Sequence, residues 1–143
     1  MFNLTELKTG DFIDVCSYFD TMEGNEELIT KFFNTLIGRL PESESECLEI
    51  ISNFANQITE IKESFEFIYN PPSLPSSTEA KRETIGDEYR KEFSLMYGGY
   101  VSLVVLVCQK LNYNPDQIKE IKTQDFLFWA NYFLHHQFVE NIK

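Results

Sequence analysis

Ile118–Phe133 reads IKEIKTQDFLFWANYF, and Leu4–Phe19 at the other end of the chain reads LTELKTGDFIDVCSYF. Laid over each other without a gap, the two share seven identities in sixteen positions: Glu6/Glu120, Lys8/Lys122, Thr9/Thr123, Asp11/Asp125, Phe12/Phe126, Tyr18/Tyr132 and Phe19/Phe133. Leu4/Ile118 and Leu7/Ile121 match in kind. Each copy places Thr and Asp ahead of apolar residues at helical spacing. Thr9 and Thr123 are expected to be N-caps, their hydroxyls accepting from backbone N–H groups two or three residues on. Asp11 and Asp125 fall in the first turn, where the helix dipole favours a carboxylate. Phe12 and Phe126 are expected to point inward. The protein should be closed by two similar helix starts.

Working outward from the first copy, Gly24-Asn25 breaks one helix and Asn25 caps the next. Leu28/Ile29, Phe32/Phe33, Leu36/Ile37 and Leu40 then recur every four residues until Gly38 weakens the helix and Pro41 stops it. Ser43 stands three residues before Glu46, the spacing of a capping box. From there Cys47, Ile51, Phe54, Ile58, Ile61, Phe65 and Ile68 step 4, 3, 4, 3, 4, 3, a heptad seam along one helix over 45–69. Such a seam packs inside an antiparallel bundle or takes a second chain.

Residues 70–77, NPPSLPSS, form a linker, since three prolines cannot continue a helix. A short charged helix from Ser77 or Thr78 through Thr84 is expected beyond it. Tyr89, Phe93, Met96/Tyr97, Tyr100, Val104, Cys108 and Leu111 mark one face of the next segment. Val101–Cys108 is apolar nearly all round, which suits the central helix of a bundle, with a buried strand as the lesser alternative. Gly98-Gly99 marks a kink, a break or a close backbone approach within that segment. Asn114-Pro115-Asp116 is a helix start with Pro at the first position. The last helix runs from Gln124 to about Glu140. It carries one stripe of Phe126, Trp129/Ala130 and Phe133 and another of Phe128, Tyr132 and His135. One stripe can face the core; the other needs a second element or a partner.

The chain has 143 residues, 43% of them hydrophobic and 15% aromatic, which argues for one folded domain and against disorder. The expected architecture is a single all-α domain over residues 1–143, a bundle of about six helices. It has an acidic half (1–69), the linker (70–77) and a hydrophobic, aromatic half (78–143). Residues 1–70 carry fourteen acids and four bases, and residues 71–143 nine and eight, which together give the net −11. With no basic stripe, direct nucleic-acid binding is not expected. The run Tyr97–Val107 is too short to span a bilayer, and the N-terminus lacks the basic and apolar regions of a signal peptide. A soluble, intracellular protein with no membrane partner is the expectation.

Chemistry is sparse. Cys16, Cys47 and Cys108 are odd in number, widely spaced and set among apolar residues, as buried reduced thiols are. His135 and His136 are adjacent and so point about 100° apart on a helix, which prevents them from sharing a metal. Glu60 and Glu63 have no Glu-x-x-His partner for a di-metal site. No phosphate-binding, zinc-protease or nucleophile-elbow motif is present. The reading is a non-enzyme with no catalytic residue, cofactor or metal.

The chain resembles small helical phage proteins of the tail assembly chaperone type. LTELKTGDFIDVCSYF, the apolar helix ending at Pro41, YGGYVSLVVLVCQKL (97–111), the NPDQIKEIKTQDF step and the final aromatic helix carry that resemblance, which touches about half of the chain. It implies transient, non-catalytic binding of a long helical tape-measure chain or another phage structural protein, in the cytoplasm of an infected host or in the virion. It fixes no individual binding residue. From the residues themselves, the aromatic helix 123–140 and the heptad helix 45–69 are the expected surfaces for a partner's apolar helical segments or for self-association. Phe128, Trp129, Tyr132, His135, Ile58, Ile61 and Phe65 are the residues expected to make contact. The alternative is an acidic inhibitor or nucleic-acid mimic that covers a basic host enzyme surface with Glu42, Glu44, Glu46 and Glu49.

Overall fold

The computed structural model describes residues 2–72 and 99–142. Among them a 3-10 turn (Leu4–Glu6) precedes α1 (Thr9–Thr21), α2 (Glu26–Ile37), α3 (Glu44–Ser64) and α4 (Glu66–Tyr69). Beyond the undescribed stretch follow α5 (Tyr100–Leu111), α6 (Pro115–Glu120) and α7 (Thr123–Asn141). The protein is an all-α helical bundle. Residues 73–77 of the expected linker, the charged helix to Thr84 and the apolar face from Tyr89 to Tyr97 lie outside the described residues.

The bundle is locked where the two repeats meet. Lys8 and Lys122 form an isolated antiparallel bridge. Thr9 N–H donates to Ile121 O and Thr123 N–H to Leu7 O, both at 2.8 Å. The Thr9 and Thr123 hydroxyls donate to the same two carbonyls, each at 2.9 Å. Lys8 Nζ pairs with Glu120 at 2.8 Å, and Lys122 Nζ with Glu6 at 2.9 Å. Every contact thus has a mate with the repeats exchanged, as a local two-fold requires. Leu4/Ile118, Thr9/Thr123 and Phe12/Phe126 are all fully buried beneath this clasp.

The expected threonine caps need correcting. The N-cap positions are Lys8 and Lys122, neither with a side-chain cap bond, and Thr9 and Thr123 are the first helical residues. A hydroxyl that donates to a carbonyl across the clasp is not placed to cap its own helix. The inward Phe12 and Phe126 stand as expected. Gly10 lets α6 approach α1: a Cβ there would meet Lys119 Cβ at 3.2 Å. In the second repeat the same place is taken by Gln124, which with Thr5 lines a shallow hollow beside the shorter 3-10 turn.

The first half follows its punctuation. Gly24 turns the chain with φ +75°, and Asn25 accepts from Leu28 N–H at 3.2 Å to start α2. Gly38 ends it in the left-handed region at φ +77°, its N–H donating to Asn34 O at 3.0 Å. Leu40 therefore leaves the stripe and is exposed. α1 and α2 pack as a hairpin against α3. Their meeting point is a ring cluster in which Phe54 lies 4.9 Å from Phe19 and 5.2 Å from Phe32. Each buried phenylalanine of this core contributes about 1.5–3 kcal/mol of apolar burial.

Ser43 accepts from Glu46 N–H at 3.1 Å, half of a capping box. The Glu46 carboxylate turns instead to Glu42 N–H and to Arg39, whose guanidinium meets it at 2.5 and 3.2 Å. The heptad helix is not continuous to residue 69. Phe65, with φ −124° and ψ 63°, ends α3 and redirects the chain into α4. The break brings Phe67 N–H to Asn131 Oδ1 on α7 at 3.0 Å. The end of the first half is thereby bound to the second a second time.

In the second half Gly99, at φ +75°, stands at the start of α5 rather than inside a helix. α5 is a helix, not a strand, but it is not central. Only Val107 is fully buried, while Val101 and Val105 are exposed. Asn114 and Gln117 complete a reciprocal capping box at α6, with Pro115 in its first turn.

Candidate protein-binding face

α7 is held by the clasp at its first residue, and this fixes which side of it faces inward. Thr123, Phe126, Leu127 and Ala130 are buried. Phe128, Tyr132, His135 and Val139, stepping four, three and four, occupy the opposite side and are exposed. Phe128 is 52% exposed, Tyr132 49% and Val139 54%. An ordinary surface helix would carry charge there. α7 instead carries only Asp125 and Glu140 among its nineteen residues, and no Lys or Arg.

The exposed rings support one another. Trp129, half-buried between the two faces, stacks on Phe133 with centroids 5.7 Å apart and meets Phe128 edge-on at 5.3 Å. Tyr132 lies edge-on to Trp129 at 6.0 Å and stacks on His136 at 6.1 Å. His135 stacks on Phe67 of α4, centroids 4.1 Å apart and planes 11° apart. His136 Nδ1 lies 3.6 Å from Glu140, an ion pair only when the imidazole is protonated. Rings held in this way lose little conformational freedom when a partner covers them.

The sequence-predicted contact residues therefore separate. The structure brings Phe128, Trp129, Tyr132 and His135 together on α7. Ile61 and Phe65 are 4% and 7% exposed and belong to the core, so the seam of α3 is turned into this chain and does not offer them to another. The apolar side of α3 meets Phe19 and Phe32 through Phe54, and Gln57 beside it accepts from Leu4 N–H at 2.8 Å. Ile58 is partly buried and lines a cleft between α1, α3 and α5. Val139 and Ile142 extend the exposed apolar side but were not among the expected residues. Continuing the 4-3-4 step from Phe128 reaches Val139, so that signal was present in the sequence.

A second group, unforeseen from sequence, joins Tyr69, Tyr100 and Cys16. The two phenol oxygens are 2.5 Å apart, and Cys16 lines the same cleft beside them. No spacing links these three positions; only the fold does. Burial pushes the Cys16 thiol up to about 12, against a smaller opposing effect of the Tyr100 hydroxyl. Burial likewise pushes the Tyr69 phenol up to about 12 and raises that of Tyr100. At neutral pH the cluster is uncharged, and the thiol is not poised as a nucleophile. Among the described residues no three His, Cys, Asp or Glu side chains converge as a metal site, and no helix is long and apolar enough to cross a membrane.

No family model, curated protein or solved structure matches this chain.

Proposed function

We propose that the protein is a non-catalytic binding module that captures an apolar helical segment of a partner on the outer face of α7. The observation that carries this reading is the set Phe128, Tyr132 and Trp129, the first two half-exposed and each edge-on to Trp129, on a helix whose opposite side is already buried. An amphipathic helix laid along it meets anchors four and three residues apart, the spacing of a helix-to-helix seam. Apolar burial at about 25 cal/mol per Å2 supplies affinity without any reacting group. The resemblance to tail assembly chaperones makes a tape-measure helix the partner to test first.

The acidic-inhibitor reading has less support. Glu46, one of the four carboxylates it needs, is engaged by Arg39 and by the Glu42 N–H.

The test is a titration of Trp129 fluorescence, the chain's only tryptophan, with a synthetic amphipathic peptide from a tape-measure protein, at 0.1 and 1 M salt. Saturable binding that is insensitive to salt and lost in Phe128→Ser/Tyr132→Ser is expected. No saturable change, or binding abolished at 1 M salt with the double variant unaffected, overturns the proposal.

A further inference from the structure

A concavity lies away from the α7 face, between α1, α3, α4 and the start of α5. It encloses about 540 Å3, within the range of small-molecule sites, roughly 300–1,000 Å3. Its walls include the rings of Phe19 and Phe54, 4.9 Å apart and tilted 41°. Cys16, Tyr69 and Tyr100 also line it, so the hydrogen-bonded phenol pair and the thiol are the polar groups a guest would meet inside. An apolar lining with a few convergent polar groups is the ordinary composition of a ligand pocket.

Charge narrows the class of guest. The three inner groups are neutral hydroxyls and a thiol. Among the described lining residues the ionic ones, Asp20 and Lys62, are exposed at the cleft's edge and opposite in sign. Among the described lining residues neither sign is in excess. The paired phenols offer lone pairs and one proton beyond the one they share, enough for a single hydrogen-bonding group. We infer that this cleft is a binding site for a small neutral amphiphile: an aromatic or branched apolar body bearing one N–H, O–H or carbonyl group.

The test uses two dyes with the same ring framework. N-phenyl-1-naphthylamine is neutral with one N–H; 8-anilino-1-naphthalenesulfonate adds a sulfonate. Ala55 and Ser102 line the cleft from α3 and α5, and both are exposed, so larger residues there narrow it without disturbing the core. The full-length chain is expected to bind the neutral dye saturably and the sulfonate at least ten-fold more weakly. Ala55→Trp and Ser102→Trp, made separately and checked by thermal melting, are each expected to weaken the neutral dye at least ten-fold. Equal affinity for the two dyes overturns the neutral class. Binding that survives in a folded Ala55→Trp or Ser102→Trp chain overturns the site, as does absence of binding. Loss of the dye in Phe128→Ser/Tyr132→Ser instead places it on α7, which also overturns the site. Because the cleft and the α7 face are disrupted by different variants, failure here leaves the partner-binding proposal standing on its own test.

Discussion

Thr9 and Thr123 show how a correct motif can carry the wrong role. Both open their helices, yet their hydroxyls give away a proton to Ile121 O and Leu7 O instead of accepting one from their own first turn. Each carbonyl also takes the backbone N–H, so replacing Thr by the isosteric Val removes one hydrogen bond without orphaning the acceptor. Thr9→Val and Thr123→Val are each expected to lower unfolding stability by about 1 kcal/mol, by similar amounts at the two sites, with Thr→Ser less costly than Val. Denaturant melts of the four variants check it. Cys16 makes a second prediction at this scale. Its folded value, about 12, lies above its ordinary 9.0, chiefly through burial. A group raised on folding stabilises the fold below its unfolded value and loses that contribution as pH climbs toward the folded one. Stability should therefore fall between pH 9 and 12, and Cys16→Ala should flatten that fall. An unchanged pH profile in Cys16→Ala contradicts the burial of the thiol.

At the scale of elements, α7 is the helix whose two sides do different work. Its inner residues are core and its outer rings are not, so the substitutions separate. Phe126→Ala is expected to cost about 3–5 kcal/mol. Phe128→Ser/Tyr132→Ser should change stability by under about 1 kcal/mol, because both rings are already half in water. Equal losses in thermal melts would place the outer rings in the core. The sequence displayed both stripes of α7, since aromatics at helical spacing are visible without a structure. It did not display which stripe is inward, because that depends on the clasp 116 residues away along the chain. The same limit explains α3. Its 4-3 pattern marks an apolar side correctly, but periodicity cannot say whether the covering element comes from this chain or from another. Nor does it register the break at Phe65, a residue with no helix-breaking chemistry of its own. The apolar run of α5 misled for the opposite reason: composition alone suggested a central helix, whereas Val101 and Val105 lie at the surface.

Over the whole molecule, the repeat is the feature that makes the ends of the chain meet. The acidic first half and the aromatic second half are joined by two backbone hydrogen bonds, two hydroxyl bonds and two ion pairs, the two members of each kind being mates across a local two-fold. The sixteen-residue similarity was legible from the start; that its two copies would bind each other was not, since similarity does not by itself imply contact. The Tyr69–Tyr100–Cys16 cluster was hidden for a related reason: it is assembled from three helices with no common spacing. The clasp is tested most directly by amide hydrogen exchange at Thr9 and Thr123. First-turn N–H groups of a helix normally have no intrahelical partner and exchange quickly. Here both donate across the bridge at 2.8 Å, so NMR-detected exchange should find the two amides protected together, and to similar degrees, far beyond those of Gly10 and Gln124. Fast exchange at either threonine, or protection of one without the other, would contradict the closed two-fold clasp.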